Sequence, residues 1–290
     1  MLFAINFLTT KVVLSELNPV IFSFYRFFLS AIVIGLYLVF KRFKFKIKDS
    51  SILKKLILVA FAIPLSQTVF ITGLKYTTPA NTSLLSTTIP VFTLFIAVIR
   101  KQIPRTLGIV AGFILALVGT IIYKDFSQFT LSSVAFKGDL YVISGCIFFA
   151  MSISLSKDVM SKVTPILATF YIFLLGSLIL IPINFLVYPG AIQYPELSNE
   201  HILWNFLFSV FGGTLLTYFL NNHIIRRLSP DVVSLGIYLQ PIFAGFLSWY
   251  YMGENITWRI FVSLSFIFTG VYIITRSHKK EAKGMPTDKP

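Results

Sequence analysis

The sequence predicts an all-α membrane protein whose ten transmembrane helices form a 5+5 inverted repeat around a central cavity. Composition is the first reason, because 56% of the 290 residues are hydrophobic and only 12% are charged, far from the balance of soluble domains. Segment length is the second, because several stretches of about 20 residues with few or no charges match a hydrocarbon core of about 30 Å. Backbone polar groups in lipid must be paired within each segment, so these stretches are expected to be helices.

The third reason is an internal repeat. Residues 79–122 align without a gap on residues 230–273, at an offset of 151. The identities at this offset are Pro79/Pro230, Ser83/Ser234, Leu84/Leu235, Pro90/Pro241, Phe92/Phe243, Phe95/Phe246, Thr106/Thr257, Ile109/Ile260, Gly119/Gly270 and Ile122/Ile273. A weaker match at an offset of 146 joins the earlier parts of the two halves, through pairs such as Lys11/Lys157, Pro19/Pro165, Tyr25/Tyr171 and Phe27/Phe173. The chain is therefore expected to be one fold of two related units, a symmetry typical of membrane transporters.

Residues 1–123 form the first predicted repeat. Its five spans are residues 1–14, 19–40, 56–74, 79–99 and 104–123. Three of these spans begin at or near a proline, which fits the first turn of a helix because no amide hydrogen is needed there. The first span is short, reaching about 21 Å, and Met1 aligns with Ile147. We expect either a truncated helix or a start upstream of Met1, and the upstream start is favoured.

Residues 138–275 form the second predicted repeat, and residues 276–290 form a basic cytoplasmic tail. The five spans of this repeat are residues 138–157, 165–188, 201–225, 230–252 and 256–275. Prolines inside spans are expected to kink the helices. These prolines are Pro64, Pro90, Pro182 and Pro241.

The distribution of Lys and Arg predicts the orientation. Alternate loops and the C-terminal tail hold nineteen of these residues on one side of the membrane, against five on the other. Positive loops face the cytoplasm, so both termini are expected there, in a multi-pass protein of the plasma membrane (the bacterial inner membrane). Because each unit has an odd number of spans, the second unit is expected to be upside down relative to the first.

Composition and motifs also exclude several functions. The net charge of +14 lies in short loops, so it reflects topology, and we expect a lipid bilayer and no nucleic acid among the partners. The single cysteine, Cys146, excludes an internal disulfide and a cysteine-based metal site, and no metal or cofactor is expected. No GxxxxGK[ST], HExxH or GxSxG string occurs, so ATP-driven transport and standard hydrolytic chemistry lack their motifs. The protein is not expected to be an enzyme.

Two further strings carry a family resemblance. Residues 76–85 (YTTPANTSLL) precede Pro90, and the second copy at residues 227–235 (RLSPDVVSL) precedes Pro241. With residues 25–31 (YRFFLSA), they resemble the EamA family of the drug/metabolite transporter superfamily, and the resemblance covers residues 1 to 275. It implies ten helices around a central cavity, alternating access, and often export of amino acids or other small metabolites.

Arg26 is the sharpest candidate for function. It lies about 10 Å into the second span, where a charge is costly and is usually functional. A guanidinium there would hold a substrate carboxylate or phosphate through paired hydrogen bonds. Alternatively, Arg26 extends to the headgroups or pairs with Glu16. Its repeat partner is Ile172, so the scaffold alone does not require a charge at this position.

Other polar residues are expected to line the cavity with Arg26. Polar and small residues form one stripe on a face of the fourth span and another on a face of the ninth span. The stripes include the mid-span prolines Pro90 and Pro241, which are expected to kink the helices. Such stripes also occur where two helices pack closely. Neutral hydrogen-bonding side chains and two tyrosines complete the predicted cavity lining. Instead of lining the cavity, each neutral side chain could bond a neighbouring helix, and each tyrosine could pack against other aromatic rings. The predicted substrate-binding residues are Asn6, Tyr25, Arg26, Gln67, Asn81, Ser83, Thr87, Tyr171, Tyr218, Asn222, Ser234, Tyr238 and Gln240.

The predicted function is export of amino acids or related compounds by alternating access without ATP hydrolysis. The alternatives are import or exchange of an anionic metabolite (carboxylate or nucleotide-linked), and less favourably a membrane-embedded enzyme. None of the eleven Asp and Glu residues lies at a span centre, so we expect facilitated or exchange transport rather than a proton relay. The GxxxG of Gly108 and Gly112 indicates helix packing or a dimer seam, so a monomer and a homodimer are both compatible with the sequence.

Overall fold

The computed structural model describes residues 2–43, 45, 47, 49–100, 106–122, 133–189, 194, 199–227, 237, 240–253 and 257–284. Within these ranges the regular structure is helical, and no strand occurs. The helices in the described ranges fall into ten segments when two interrupted helices are each taken as one. They are numbered α1 to α10 in chain order.

Local sequence explains where the first five helices begin. They are α1 (Leu2–Val13), α2 (Pro19–Phe40), α3 (Ser50–Tyr76), α4 (Pro79–Ile99) and α5 (Leu107–Ile122). Asn18, Asp49 and Thr78 precede α2, α3 and α4, and their side chains accept hydrogen bonds from amides of the first turn. These caps satisfy amides that have no partner inside the helix. Because Asp49 caps it, α3 begins at Ser50 rather than at the predicted residue 56.

The second set of helices follows the same local rules. They are α6 (Val134–Met160), α7 (Pro165–Val187), α8 (Glu200–Arg227), α9 (Gln240–Met252) and α10 (Trp258–Gly284). Ser133 and Asn199 cap α6 and α8. α10 continues past residue 275, so residues 276–284 of the predicted tail extend this helix. Parts of the predicted spans lie outside the described residues, namely 1, 104–105, 123, 230–236, 238–239 and 256.

The lengths of the helices define an all-α membrane protein. Six helices in the described part of the chain are long and apolar enough to cross a bilayer, namely α2, α3, α4, α6, α7 and α8. α1 and the apolar parts of α5 and α10 are shorter. Helices of this kind satisfy the rule that backbone in lipid must pair its polar groups within each segment.

Two helices are interrupted near the middle of the bundle. α4 consists of Pro79–Ser86 and Thr88–Ile99, with the break at Thr87. Pro90 has no amide hydrogen to donate to the carbonyl four residues earlier, which explains a break at this level. α8 contains a π-helical turn at Phe211–Leu216, and such turns occur frequently at functional sites.

Close helix pairs repeat across the two halves. The pairs α2·α7, α4·α9 and α5·α10 each join one helix to the helix five positions later. In the α5·α10 pair, a Cβ on Gly112 would lie 2.5 Å from the Gly270 carbonyl oxygen, and a Cβ on Gly119 would lie 2.8 Å from the Ser263 carbonyl oxygen. Gly112 corresponds to Ser263 and Gly119 corresponds to Gly270 at the offset of 151, so the two contacts are equivalent under the repeat. Gly112, part of the predicted GxxxG, thus packs inside its own chain.

The two ends of the bundle are held differently. At the end where α3 finishes, called the Tyr76 end, Lys11 Nζ donates hydrogen bonds of 2.7 to 2.9 Å to the carbonyl oxygens of Leu74, Lys75 and Thr77. At the opposite end, called the Asp158 end, Lys55 Nζ lies 2.7 Å from Asp158 Oδ2 and Lys162 Nζ lies 3.0 Å from Asp49 Oδ2. The ion pairs at the Asp158 end are partly solvent-exposed, and such pairs contribute little to stability.

Candidate functional site

A small cavity lies inside the bundle between α1, α3, α4, α6 and α9. Its volume of about 30 Å³ has room for one or two water molecules, so helices must separate before a metabolite can enter. The polar lining residues are Asn6, Thr10, Gln67, Ser86 and Gln240, and the apolar ones are Phe3, Phe7, Phe70, Ile71, Leu74, Ile89, Phe149 and Ile237. None of these described lining residues is charged.

Three predicted site residues, Asn6, Gln67 and Gln240, meet at this cavity. They come from α1, α3 and α9, so both halves of the chain contribute. Each carboxamide offers two N–H donors and one oxygen acceptor. Gln240 Oε1 accepts a hydrogen bond of 3.2 Å from the Ser86 hydroxyl, which links α9 to the broken helix α4. The cavity can therefore bind a small polar group through uncharged donors and acceptors.

The position of Asn6 depends on the π-helical turn of α8. Its side chain lies against Gly213, and a Cβ on Gly213 would occupy the space of the Asn6 carboxamide. One turn further along α1, the hydroxyls of Thr9 and Ser209 lie 2.9 Å apart in a hydrogen bond. Glycine at residue 213 thus lets α8 approach α1 closely enough to fix one wall of the cavity.

Arg26 is buried one layer away from the cavity and does not line it. Its Nε donates to Thr214 Oγ1 at 2.7 Å, and Thr214 donates in turn to the Ser209 carbonyl oxygen at 2.8 Å. Nη2 has no hydrogen-bond partner among the described residues. Arg26 is only 1% exposed and Glu16 is exposed without pairing to it, so neither extension to the headgroups nor a Glu16 ion pair explains the charge. A buried cation with an unused donor is costly unless an anion visits it.

Tyr218 connects Arg26 with the cavity. Its hydroxyl lies close to both Arg26 and the lining residue Gln67. Its ring packs edge-on against Phe149, which lines the cavity, and against Phe173, with ring centroids 6.3 and 5.6 Å apart. Tyr218 therefore lies between the guanidinium and the cavity.

Several predicted site residues lie away from the cavity for identifiable reasons. The hydroxyls of Ser83 and Thr87 donate to the carbonyls of Ala80 and Leu84 in their own helix. Asn81 Nδ2 donates to Thr77 Oγ1 at 2.7 Å and also to the buried carboxylate of Asp139. The predicted stripe on α4 is thus mostly internal bonding. Its cavity member is Ser86, whose hydroxyl donates to the Ser83 carbonyl at 2.6 Å as well as to Gln240.

The remaining predicted residues join helices elsewhere or lie outside the described part. Tyr171 donates to the Phe45 carbonyl at 2.7 Å, Asn222 Nδ2 donates to Thr169 at 2.7 Å, and the Tyr25 ring packs edge-on against Phe206. Ser234 and Tyr238 lie outside the described residues. Pro241 is the second described residue of α9, and the turn before it is also outside. No cluster of three His, Cys, Asp or Glu residues that could hold a metal occurs within the described ranges.

Sequence reasoning missed the residues that hold Arg26 and complete the cavity. Thr214, Ser209 and Thr9 form the polar chain behind the guanidinium. The only sequence signal was the Gly-Gly-Thr string at residues 212–214, which is unusual inside a helix because glycine disfavours it. Thr10 carried no signal beyond its hydroxyl.

An apolar helical bundle with a partly polar cavity between helices of both halves is an arrangement found in membrane transporters. A model of the EamA-like transporter family matches residues 1–123 and 136–276. The chain belongs to this family. It is a multi-pass integral membrane protein and a membrane transporter.

Known relatives agree with this assignment. An uncharacterized transporter of Archaeoglobus fulgidus is 27% identical over 280 residues, which cover 95% of this chain and 94% of the relative. The uncharacterized transporter YoaV of Bacillus subtilis is 23% identical over 270 residues, covering 91% of this chain and 90% of the relative. A crystal structure of a protein with 13% identity matches with a TM-score of 0.68 over 96% of each chain, a likeness that concerns the fold alone.

Proposed function

We propose that this transporter exports amino acids or related small metabolites by alternating access, without ATP hydrolysis. The observation that carries the proposal is the meeting of three carboxamides, Asn6, Gln67 and Gln240, in one cavity between helices of both halves. A site between two repeats, reached in turn from either side, is the usual arrangement in secondary transporters.

The proposed architecture is ten transmembrane helices in a 5+5 inverted repeat. It is supported by the pairs α2·α7, α4·α9 and α5·α10, and by glycine contacts that recur at the offset of 151. Contacts along the helices agree with opposite directions for paired members, since Gly108 meets Ser277 and Gly119 meets Ser263.

The proposed location is the bacterial plasma membrane, with both termini in the cytoplasm. Its support is the excess of Lys and Arg in alternate loops. In this orientation the Tyr76 end faces outward and the Asp158 end faces the cytoplasm.

The proposed substrates are neutral overall and carry a carboxylate. The lack of charge among the described lining residues favours a molecule without net charge. The unpaired Nη2 of Arg26 behind Tyr218 favours one carboxylate, which a guanidinium binds through charge-assisted hydrogen bonds. A zwitterionic amino acid satisfies both conditions.

Import or exchange of an anionic metabolite is the second candidate. The same Nη2 of Arg26, which has no hydrogen-bond partner among the described residues, supports it, because a dianion would gain more from Arg26 than a zwitterion does. An enzyme would need a polar catalytic cluster, and the described cavity offers only amides and hydroxyls.

Counterflow in proteoliposomes tests the proposal. The panel comprises amino acids, organic acids and nucleotides, and amino acids are expected to give saturable exchange. Gln67→Leu should weaken exchange about fivefold or more, since one lost hydrogen bond is worth about 1 kcal/mol. Asn205→Leu is the matched control, because within the described residues that carboxamide bonds the His201 carbonyl of its own helix and does not line the cavity.

Three outcomes would contradict the proposal. They are an absence of saturable exchange, exchange of nucleotides alone, and equal losses in the Gln67 and Asn205 variants. Collapse of flux on dissipating a proton gradient, with the substrate gradient held fixed, would contradict transport driven by the substrate gradient.

A further inference from the structure

A second and larger cavity lies on the side of the bundle at the Tyr76 end. This Tyr76 groove runs between α3, α6 and α7 and has a volume of about 570 Å³, in the range of about 300–1,000 Å³ that is typical of ligand sites. It shares no residue with the cavity of the carboxamides.

The mouth of the groove is polar and positively charged. Tyr76, Tyr141 and Tyr188 line it together with Lys137, and the Tyr188 hydroxyl lies close enough to the other two phenols to interact with them electrostatically. Lys137 has no ion pair among the described residues. Three phenolic hydroxyls and one ammonium are a donor set that suits a phosphate group.

The inner wall of the groove is apolar. Leu65, Val69, Ile183 and Val187 line it. The hydroxyls of the lining residues Thr68 and Thr72 donate to carbonyls of their own helix at 2.8 and 2.7 Å. The hydroxyl hydrogens of both residues are thus already used within α3.

The length of the groove matches one leaflet. From Leu65 to Tyr76 the groove follows α3 for about 16 Å, at about 1.5 Å per residue. Half of a hydrocarbon core of about 30 Å is about 15 Å. The polar mouth lies where the helices end, so the apolar part extends from the interface to the middle of the bilayer.

We propose that the Tyr76 groove binds one phospholipid of the leaflet at the Tyr76 end, with its phosphate at Lys137 and the three tyrosines and one acyl chain along α3 and α7. The occupant follows from the positive charge at the mouth, the apolar wall behind it and the leaflet-sized length. Given the proposed orientation, this is the outer leaflet. The site is separate from the transport cavity and does not depend on which substrate the protein carries.

Native mass spectrometry of the delipidated, full-length protein tests this site. The ligands are phosphatidylglycerol, diacylglycerol with the same chains, and free glycerol 3-phosphate. Phosphatidylglycerol should bind more tightly than diacylglycerol, and free glycerol phosphate should not bind measurably. Lys137→Gln should weaken phosphatidylglycerol binding about fivefold, the effect of one cation near a phosphate, and should leave diacylglycerol binding unchanged.

Matched variants separate the groove from general lipid adhesion. Lys75→Gln removes an exposed charge at the same end that does not line the groove, and it should have no effect. Val69→Trp fills the groove and should abolish binding of both lipids, whereas Val110→Trp on the exposed face of α5 should not. Melting temperatures check that each variant is folded.

Several results would overturn the lipid site. Among the variants, these results are unchanged phosphatidylglycerol binding in Val69→Trp or in Lys137→Gln, and equal effects of Lys137→Gln and Lys75→Gln. Among the ligands, they are binding of free glycerol phosphate or of diacylglycerol that is as tight as binding of phosphatidylglycerol. Because binding is measured directly, the result stands whether or not amino acid transport is observed.

Discussion

α3 and α8 occupy corresponding places in the two halves, yet they contact α7 and α2 with different chemistry. On α7, Gly176 lies against Pro64 and the Ala60 carbonyl of α3, an apolar contact. On α2, the residue 146 positions before Gly176 is Ser30, whose hydroxyl donates to the Val210 carbonyl of α8 at 3.3 Å. The same position in each half is thus packed against a proline of α3 in one case, and is hydrogen-bonded to the residue just before the π-helical turn of α8 in the other.

The two halves also differ in charge at one buried position, which is Arg26 in the first half and Ile172 in the second. Ile172 and Arg26 are repeat partners and are both almost fully buried, but only Arg26 brings a cation. Ile172 demonstrates that an apolar side chain fills this place in the fold. Inside the fold the guanidinium contacts Thr214 and the Phe22 ring, and binding of a substrate anion is the role proposed for its charge.

The π-helical turn also accounts for a shift in the repeat. Ala60 and Val210, which make corresponding contacts before the turn, stand 150 residues apart, whereas residues 79–122 align on residues 230–273 at an offset of 151. A π-helical turn accommodates one additional residue in a helix. Thr214, inside this turn, lies beside Arg26, and Tyr218, just after it, lies beside Gln67.

The largest expected effect comes from replacing each of the repeat partners Arg26 and Ile172 with methionine. Arg26→Met should lower exchange of carboxylate substrates about 10- to 100-fold, because hydrogen bonds to charged groups are worth about 1.5–3 kcal/mol. Ile172→Met, the matched control, should keep exchange within about twofold, since volume-conserving swaps cost less than about 1.5 kcal/mol. Counterflow and melting temperature check both variants. Equal losses in the two would mean that Arg26 serves packing.

A smaller effect is expected where α8 approaches α1. Gly213→Ala places a methyl group in the space of the Asn6 carboxamide and should destabilise the protein by about 1–3 kcal/mol. Gly245→Ala is the control, because a Cβ there meets nothing within 4 Å. Thermal unfolding in detergent measures both. If Gly213→Ala were as stable as Gly245→Ala, the close contact would not be essential.

Loss of the acceptor for Arg26 should have a still smaller effect. Thr214→Val removes the hydroxyl that binds Arg26 Nε and should weaken exchange about fivefold, from about 1 kcal/mol of lost hydrogen bonding. Thr214→Ser keeps the hydroxyl and should retain most of the activity. Comparison of the two variants separates the hydrogen bond from the methyl contact, and equal activity would contradict a positioning role for Thr214.

The smallest effect is expected at the Asp158 end. The hydrogen bond from Lys162 lowers the pKa of Asp49 below its ordinary value, so any stabilisation is present above that value and is lost as pH falls through the lowered pKa. Both side chains are exposed, and exposed pairs contribute little. Lys162→Gln should leave the melting temperature at pH 7 unchanged, and a large decrease would show that this end is held more firmly than its exposure suggests.

The sequence predicted the helices better than it predicted the site. Prolines and capping residues mark the starts of α2, α4 and α7, and these signals are local. The depth of Arg26 in an apolar span marked it as a candidate for function, but extension to the headgroups was also compatible with the sequence. By contrast, Ser83 and Thr87 bond carbonyls of their own helix, and a sequence does not distinguish such hydroxyls from cavity-lining ones. Thr214 became a partner of Arg26 only through the π-helical turn and the contact between α2 and α8, which are tertiary features.

The central claim is that Arg26, behind Tyr218 and the three carboxamides, selects substrates by their carboxylate. The most direct measurement is counterflow of each transported amino acid and of its decarboxylated amine, in the wild-type protein and in Arg26→Met. The wild-type protein is expected to prefer the amino acid about tenfold or more, and the variant is expected to lose that preference. An unchanged preference in Arg26→Met would contradict the claim.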